Sequence, residues 1–166
     1  MARRLFFSFH YERDIWRVQQ VRNSWVTHAD REDAGYWDAG LWEEAKKKGD
    51  AAVHKMIDAG LVGSSVTAVL IGTETANRPY VQYEIEQSFN KGNGLLGIYI
   101  NGMKDQSGQT DLSAAPNPFA NVSVAIGGRR GSLDSDPRIK MYNWAANDGY
   151  NNLARWVEDA ARLFGR

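Results

Sequence analysis

Cysteine is absent from the 166 residues, which excludes a disulfide-stapled scaffold and a thiolate zinc site. Excess charge is lacking too. Twenty basic residues balance twenty acidic ones, leaving no electrostatic footprint for a phosphate backbone, so nucleic acid is not an expected partner. Long apolar runs are missing. The run after the two arginines of "MARRLFFSFH" is about five residues long, too short for the apolar region of a signal peptide. Nothing approaches the roughly 20 residues of a membrane span. A soluble, cytoplasmic protein without membrane contact is expected.

Several chemical signatures are also absent. Neither GxGxxG nor GxxxxGK[ST] occurs, so the common phosphate-binding fingerprints do not apply. His10, His28 and His54 share no metal-ligand spacing, and no metal is expected. The serine of "FFSFH" lacks the GxSxG elbow of a hydrolase triad.

What remains is an ordinary globular composition, 43% hydrophobic and 24% charged, sized for a single domain over residues 1–166. Six tryptophans and seven tyrosines supply core volume and, where they reach a cleft, ring surfaces for a ligand.

"RLFFSFH" reads as a buried first strand. In "RDIWRVQQVRNSWVTHA" the spacing of Ile15, Val18, Val21, Trp25 and Val26 predicts a helix with Arg17 on the polar side. Arg22 falls inside the apolar stripe and would need a partner if buried. Asp14 is placed to favour the helix dipole or to border a site. A second short strand is assigned to "GYWDAGLW", followed by a helix from Glu43 to Leu61. Its "KKKG" stretch reads as a solvated face.

"SSVTAVLIG" is a central strand covered on both faces. After the polar loop "TETANRP", Pro79 opens a helix with Asn77 or Thr75 as candidate caps. That helix buries Val81, Ile85 and Phe89 and stops at Gly92 or Gly94. "LLGIYI" is another buried strand. Residues 101–137 form a polar, loop-rich insertion, with "VSVAI" as a last strand. The C-terminal helix presents Tyr150, Leu153, Val157, Ala160, Ala161 and Phe164 on one side.

The alternation of strands and helices implies an α/β fold with an open, mostly parallel sheet of about five strands and helices on both faces. Ligand-binding loops then share one rim, here "SFHYERD", "GTETANRPY" and "GYWDAGLW". Glu84 and Glu86 flank the apolar stripe of the helix after Pro79 on opposite sides, and the helical wheel alone does not choose between them.

A rim with a carboxylate and several aromatics, and little else, suits cleavage of the nicotinamide–ribose bond of NAD. Nicotinamide is cationic in NAD and leaves neutral, so the general acid of an ordinary glycosidase is unnecessary. One carboxylate beside the developing oxocarbenium charge suffices.

"RRLFFSFHYERDIWRVQQVRNSW", "SVTAVLIGTETANRPYVQYEIEQS" and "YNWAANDGYNNLARWVEDAA" resemble the TIR-like ThsB proteins of the Thoeris anti-phage defence system. The resemblance covers roughly the first 100 residues and the last 25. More distantly, "LFFSF" is similar to the first box of TIR domains. "RPYVQYEI" is similar to the box in which an aromatic precedes a catalytic glutamate by four residues. The resemblance implies a TIR, flavodoxin-like fold and consumption of NAD+ as substrate, with no separate cofactor. The product would be an ADP-ribose-derived, cyclic second messenger that activates a ThsA-type effector.

On the same basis Glu84 is the catalytic glutamate. Ser8, Phe9, His10, Asp38, Trp42, Thr73 and Tyr80 are the pocket candidates. A phage-derived trigger and homo-oligomeric assembly are implied as further partners. The chain departs from the family at Tyr80, where tryptophan is common, and over 101–137, which has no counterpart. Product choice, trigger recognition or assembly contacts are assigned to that segment. The competing reading is a non-catalytic TIR-like module that only assembles with partners. A receiver-like phosphoacceptor is disfavoured, because no acidic pair sits directly on the first strand.

Overall fold

The computed structural model describes residues 3–27, 31–34 and 39–166. Five parallel strands form one sheet in the order β2-β1-β3-β4-β7. They are β1 (Arg3–Ser8), β2 (Arg31–Ala34), β3 (Val66–Ile71), β4 (Gly94–Tyr99) and β7 (Lys140–Asn143). β3 is buried at every position, as its unbroken apolar sequence requires of a central strand covered on both faces.

The helices divide between those faces. α1 (Tyr11–Val26) and α5 (Gly149–Leu163) pack Val18, Val21, Trp25, Leu153, Trp156 and Val157 against Leu5, Phe7, Ala68 and Leu70. The opposite face carries α3 (Asp50–Leu61) and α4 (Pro79–Lys91), preceded by α2 (Ala39–Lys48). There Phe6 packs with Trp42, Val53 and Ile57, and Val69 and Ile71 pack with Val81 and Ile85.

The expected helix from Glu43 to Leu61 is two helices. Gly49, at φ +104°, breaks the chain between them in a conformation that L side chains avoid. The second strand is the polar "REDA" at residues 31–34, upstream of "GYWDAGLW". Residues 35–38 lie outside the described residues, and Leu41 and Trp42 are helical.

"VSVAI" supplies a strand, but not one of the main sheet. Among the described residues β5 (Ser123–Ile126) pairs only with β6 (Arg129–Ser132), as an antiparallel hairpin. The fifth strand of the sheet is instead β7, beside β4. Segment 101–137 thus lies within the β4-to-β7 crossover, where a helix would ordinarily run. It buries Phe119, Val122, Val124 and Leu133 against α4.

Two side-chain assignments change. Arg17, expected on the polar side of α1, is 4% exposed. It donates to the Met103 and Gln109 carbonyls and to Asp111, pinning the loop after β4 to α1, whereas Arg22 is half-buried. On α5, Tyr150 is 74% exposed and Trp156 is buried in its stead.

Gly94 is required where β4 meets α5, because an added Cβ would lie 2.6 Å from the Ala160 carbonyl oxygen. Both partners are backbone and cannot step aside. Gly94→Ala is expected to cost about 3 kcal/mol, read as a lowered urea midpoint at unchanged m-value.

Candidate active site

The chain leaves β1 toward β2 on one side and leaves β3 toward β4 on the other. The loops after β1 and β3 therefore diverge, and a crevice opens between them at the carboxyl rim. Pro79 is the first residue of α4, with Arg78 at the cap position and no side-chain cap. Neither Asn77 nor Thr75 caps α4. Thr75 opens a short 3₁₀ turn, and its hydroxyl accepts from the Gly72 N–H at 2.8 Å.

This turn seats α4 with Glu84 facing inward. Glu84 is 5% exposed, and the Ser8 hydroxyl, at the end of β1, donates to its carboxylate. Glu86 is exposed on the opposite flank. Burial pushes the Glu84 carboxyl up to about 8, and the Ser8 hydrogen bond opposes that rise only in part. Burial thus favours the neutral form, whereas a cation placed beside it would draw it toward the charged form.

A cavity of about 190 Å³ opens beyond the end of β1 and at the first turn of α4, with Phe9, His10, Tyr11, Trp42, Arg78 and Tyr80 among its walls but neither Ser8 nor Glu84. Its aromatic wall is continuous. Phe9 stacks on Tyr11 at 5.8 Å, Tyr11 on Trp42 at 5.6 Å, and Tyr80 meets Trp42 edge-on at 5.6 Å. The Tyr80 hydroxyl donates to Asp50 on α3 at 2.5 Å, which fixes the ring. At the mouth Lys46 pairs with Glu12, and the Arg78 Nε is buried with no hydrogen-bond partner. A ring with a flat face and positive charge is well matched to such a wall.

The volume is below the roughly 300–1,000 Å³ of sites that take a whole drug-sized ligand. A second groove, of about 660 Å³, runs along the outer side of α4 past Asp50, Tyr83, Glu86 and Arg130. It shares Pro79 and Tyr80 with the first cavity.

Five of the residues singled out in the sequence therefore converge: Phe9, His10, Trp42 and Tyr80 line the cavity, and Ser8 holds Glu84 behind it. Thr73 is half-buried in the loop after β3 and does not line the cavity. Asp38 lies outside the described residues. Tyr11, Lys46 and Arg78 were not anticipated. Tyr11 and Arg78 belong to segments already placed on the rim, whereas Lys46 sat in a lysine run that reads as solvated. Among the described residues no cluster of three metal-ligating side chains occurs, and no helix is long and apolar enough to cross a membrane.

Comparison with known proteins agrees with this geometry. The family model described as Thoeris protein ThsB, TIR-like domain, matches residues 6–105, the stretch that holds the end of β1, the aromatic wall and Glu84. A protein of Bacillus cereus (strain MSX-D12), named "Putative cyclic ADP-D-ribose synthase ThsB1", is 40% identical over 192 aligned positions. The alignment covers 95% of this chain and 100% of that relative. A parallel five-stranded sheet with a buried glutamate behind an aromatic cavity at its carboxyl rim is thus found in a chain that belongs to the Thoeris ThsB family of TIR-like proteins.

Proposed function

We propose that this chain cleaves NAD+ at the nicotinamide–ribose bond and closes the remaining ADP-ribose into a cyclic product. That product would serve as the signal for a ThsA-type effector in anti-phage defence. The observation that carries this reading is the Ser8–Glu84 pair behind an aromatic cavity. The printed name of the Bacillus cereus relative supports it.

In this reading the nicotinamide ring enters between Tyr11, Trp42 and Tyr80, whose ring faces favour its positive charge. The same charge draws the Glu84 proton away, so that the carboxylate is charged only when substrate is present. As the bond to nicotinamide lengthens, positive charge moves from the ring onto the ribose. Glu84 offsets it there, in a site shielded from water. Lys46 and Arg78 at the mouth favour the pyrophosphate. The groove beyond Tyr80 has room for the remainder of the dinucleotide.

The test is incubation of purified protein with NAD+, with and without phage-infected lysate, with products resolved by mass spectrometry. Free nicotinamide and a product one water lighter than ADP-ribose are expected. Linear ADP-ribose alone would leave the cleavage and remove the cyclisation. No nicotinamide under any condition from folded protein would favour the assembly module.

A further inference from the structure

His10 is 7% exposed, lies on the cavity wall, and has no hydrogen-bond partner at either ring nitrogen. Leaving two buried polar atoms unsatisfied is costly and marks a group that waits for one. It stands two residues beyond Ser8, at the cap position of α1, and so on the carboxyl rim where β1 delivers Ser8 to Glu84. Resting on the cyclising reading above, we propose that His10 is the group that receives the acceptor hydroxyl of the substrate's second ribose, orients it toward the anomeric carbon, and takes its proton as the ring closes.

The step balances. The C1–N bond to nicotinamide breaks, and its electron pair leaves with the neutral base. The hydroxyl oxygen forms the new bond to C1. Its proton passes to His10 Nε2 and then to solvent. Glu74 Oε2 lies 3.9 Å from Nδ1, beyond hydrogen-bond reach, and the accepting lone pair is assigned to Nε2.

The other ionisable groups on the wall serve this step poorly. Glu12 is exposed and tied to Lys46, which holds its carboxyl below the ordinary range. Lys46 is correspondingly held protonated. Arg78 has no lone pair to offer, and the phenols of Tyr11 and Tyr80 are weak acceptors at neutral pH. Among the described residues of the wall, only His10 combines a free acceptor with neutrality. Burial and the charge of Arg78 hold it below the ordinary histidine value, against the opposing pull of Glu74 and Glu12, with Arg13 adding to the decrease. Its receipt of a hydroxyl also separates closure through oxygen from closure through an adenine nitrogen, whose lone pair needs no base.

The readout is the ratio of cyclic to linear product from NAD+, which does not depend on overall rate. His10→Gln and His10→Ala are expected to lower it by at least about tenfold, with imidazole restoring it in His10→Ala. In the wild type the ratio should fall in acid, at a pH below the ordinary histidine range because the group is held down, a measurement that needs no variant to fold. An unchanged ratio in both folded variants, or a pH-independent ratio in the wild type, would overturn the role of His10 alone. A wild type that releases nicotinamide but makes only linear product would remove the cyclising reading, and this role with it.

Discussion

Glu84→Gln is expected to be more stable than the wild type above pH 7, and the gap should close in acid. The carboxyl titrates at about 8 in the folded protein against 4.5 ordinarily, so the folded state binds the proton more tightly than the unfolded chain does. Stability from this group is therefore full below pH 4.5 and is lost as the pH rises toward 8. Each pH unit in that window costs up to about 1.4 kcal/mol. Relaxation around a buried charge reduces the total to about 2–4 kcal/mol, or roughly 5–12 °C in melting temperature for a chain of this size.

Glutamine keeps an acceptor for the Ser8 hydroxyl and does not titrate. Melting temperatures of both proteins from pH 5 to 8.5 check this. Asp14, buried and pushed up to about 6, leaves a shallower residual slope in both. Parallel curves, or a variant less stable at pH 8, would contradict the burial cost assigned to Glu84.

Phe119→Ala should cost about 3–5 kcal/mol, the largest loss expected from a single change in the 101–137 segment. Phe119 is fully buried and packs with Val81, Ile85 and Leu133. It belongs to the crossover that covers α4, the helix carrying Glu84. The measurement is urea unfolding of wild type and variant, with nicotinamide release measured below the transition. A loss under 1 kcal/mol would return the segment to the status of a surface insertion.

How much of this was legible depends on how strongly each segment signals alone. β3 and α4 were legible because an unbroken apolar run, Pro79 and Gly92 mark their nature and limits. β2 and β7 were not. They are four-residue edge strands of mixed polarity, positioned by their neighbours rather than by their own pattern. The internal structure of the crossover was not legible for a related reason. Its apolar residues, Phe119, Val122, Val124 and Leu133, follow no single period, because two 3₁₀ turns and a hairpin present them instead of one helix.

The site was legible in part. The segments of the rim could be listed from topology, and Phe9, His10, Trp42 and Tyr80 meet there. The choice between Glu84 and Glu86 lay outside the helical wheel. It is made by the neighbours of α4, with β1 and Ser8 on one flank and an open groove on the other. Lys46 was hidden for the opposite reason, since its partner Glu12 is 34 residues away in the chain.

The central claim is that the buried Glu84 carboxylate cleaves NAD+. It is tested most directly by nicotinamide release from wild type and Glu84→Gln side by side, at equal concentration and with folding of both verified by melting temperature. Turnover in the wild type and a loss of at least about 10³-fold in the variant are expected. A folded Glu84→Gln protein that releases nicotinamide within tenfold of the wild type would contradict the account.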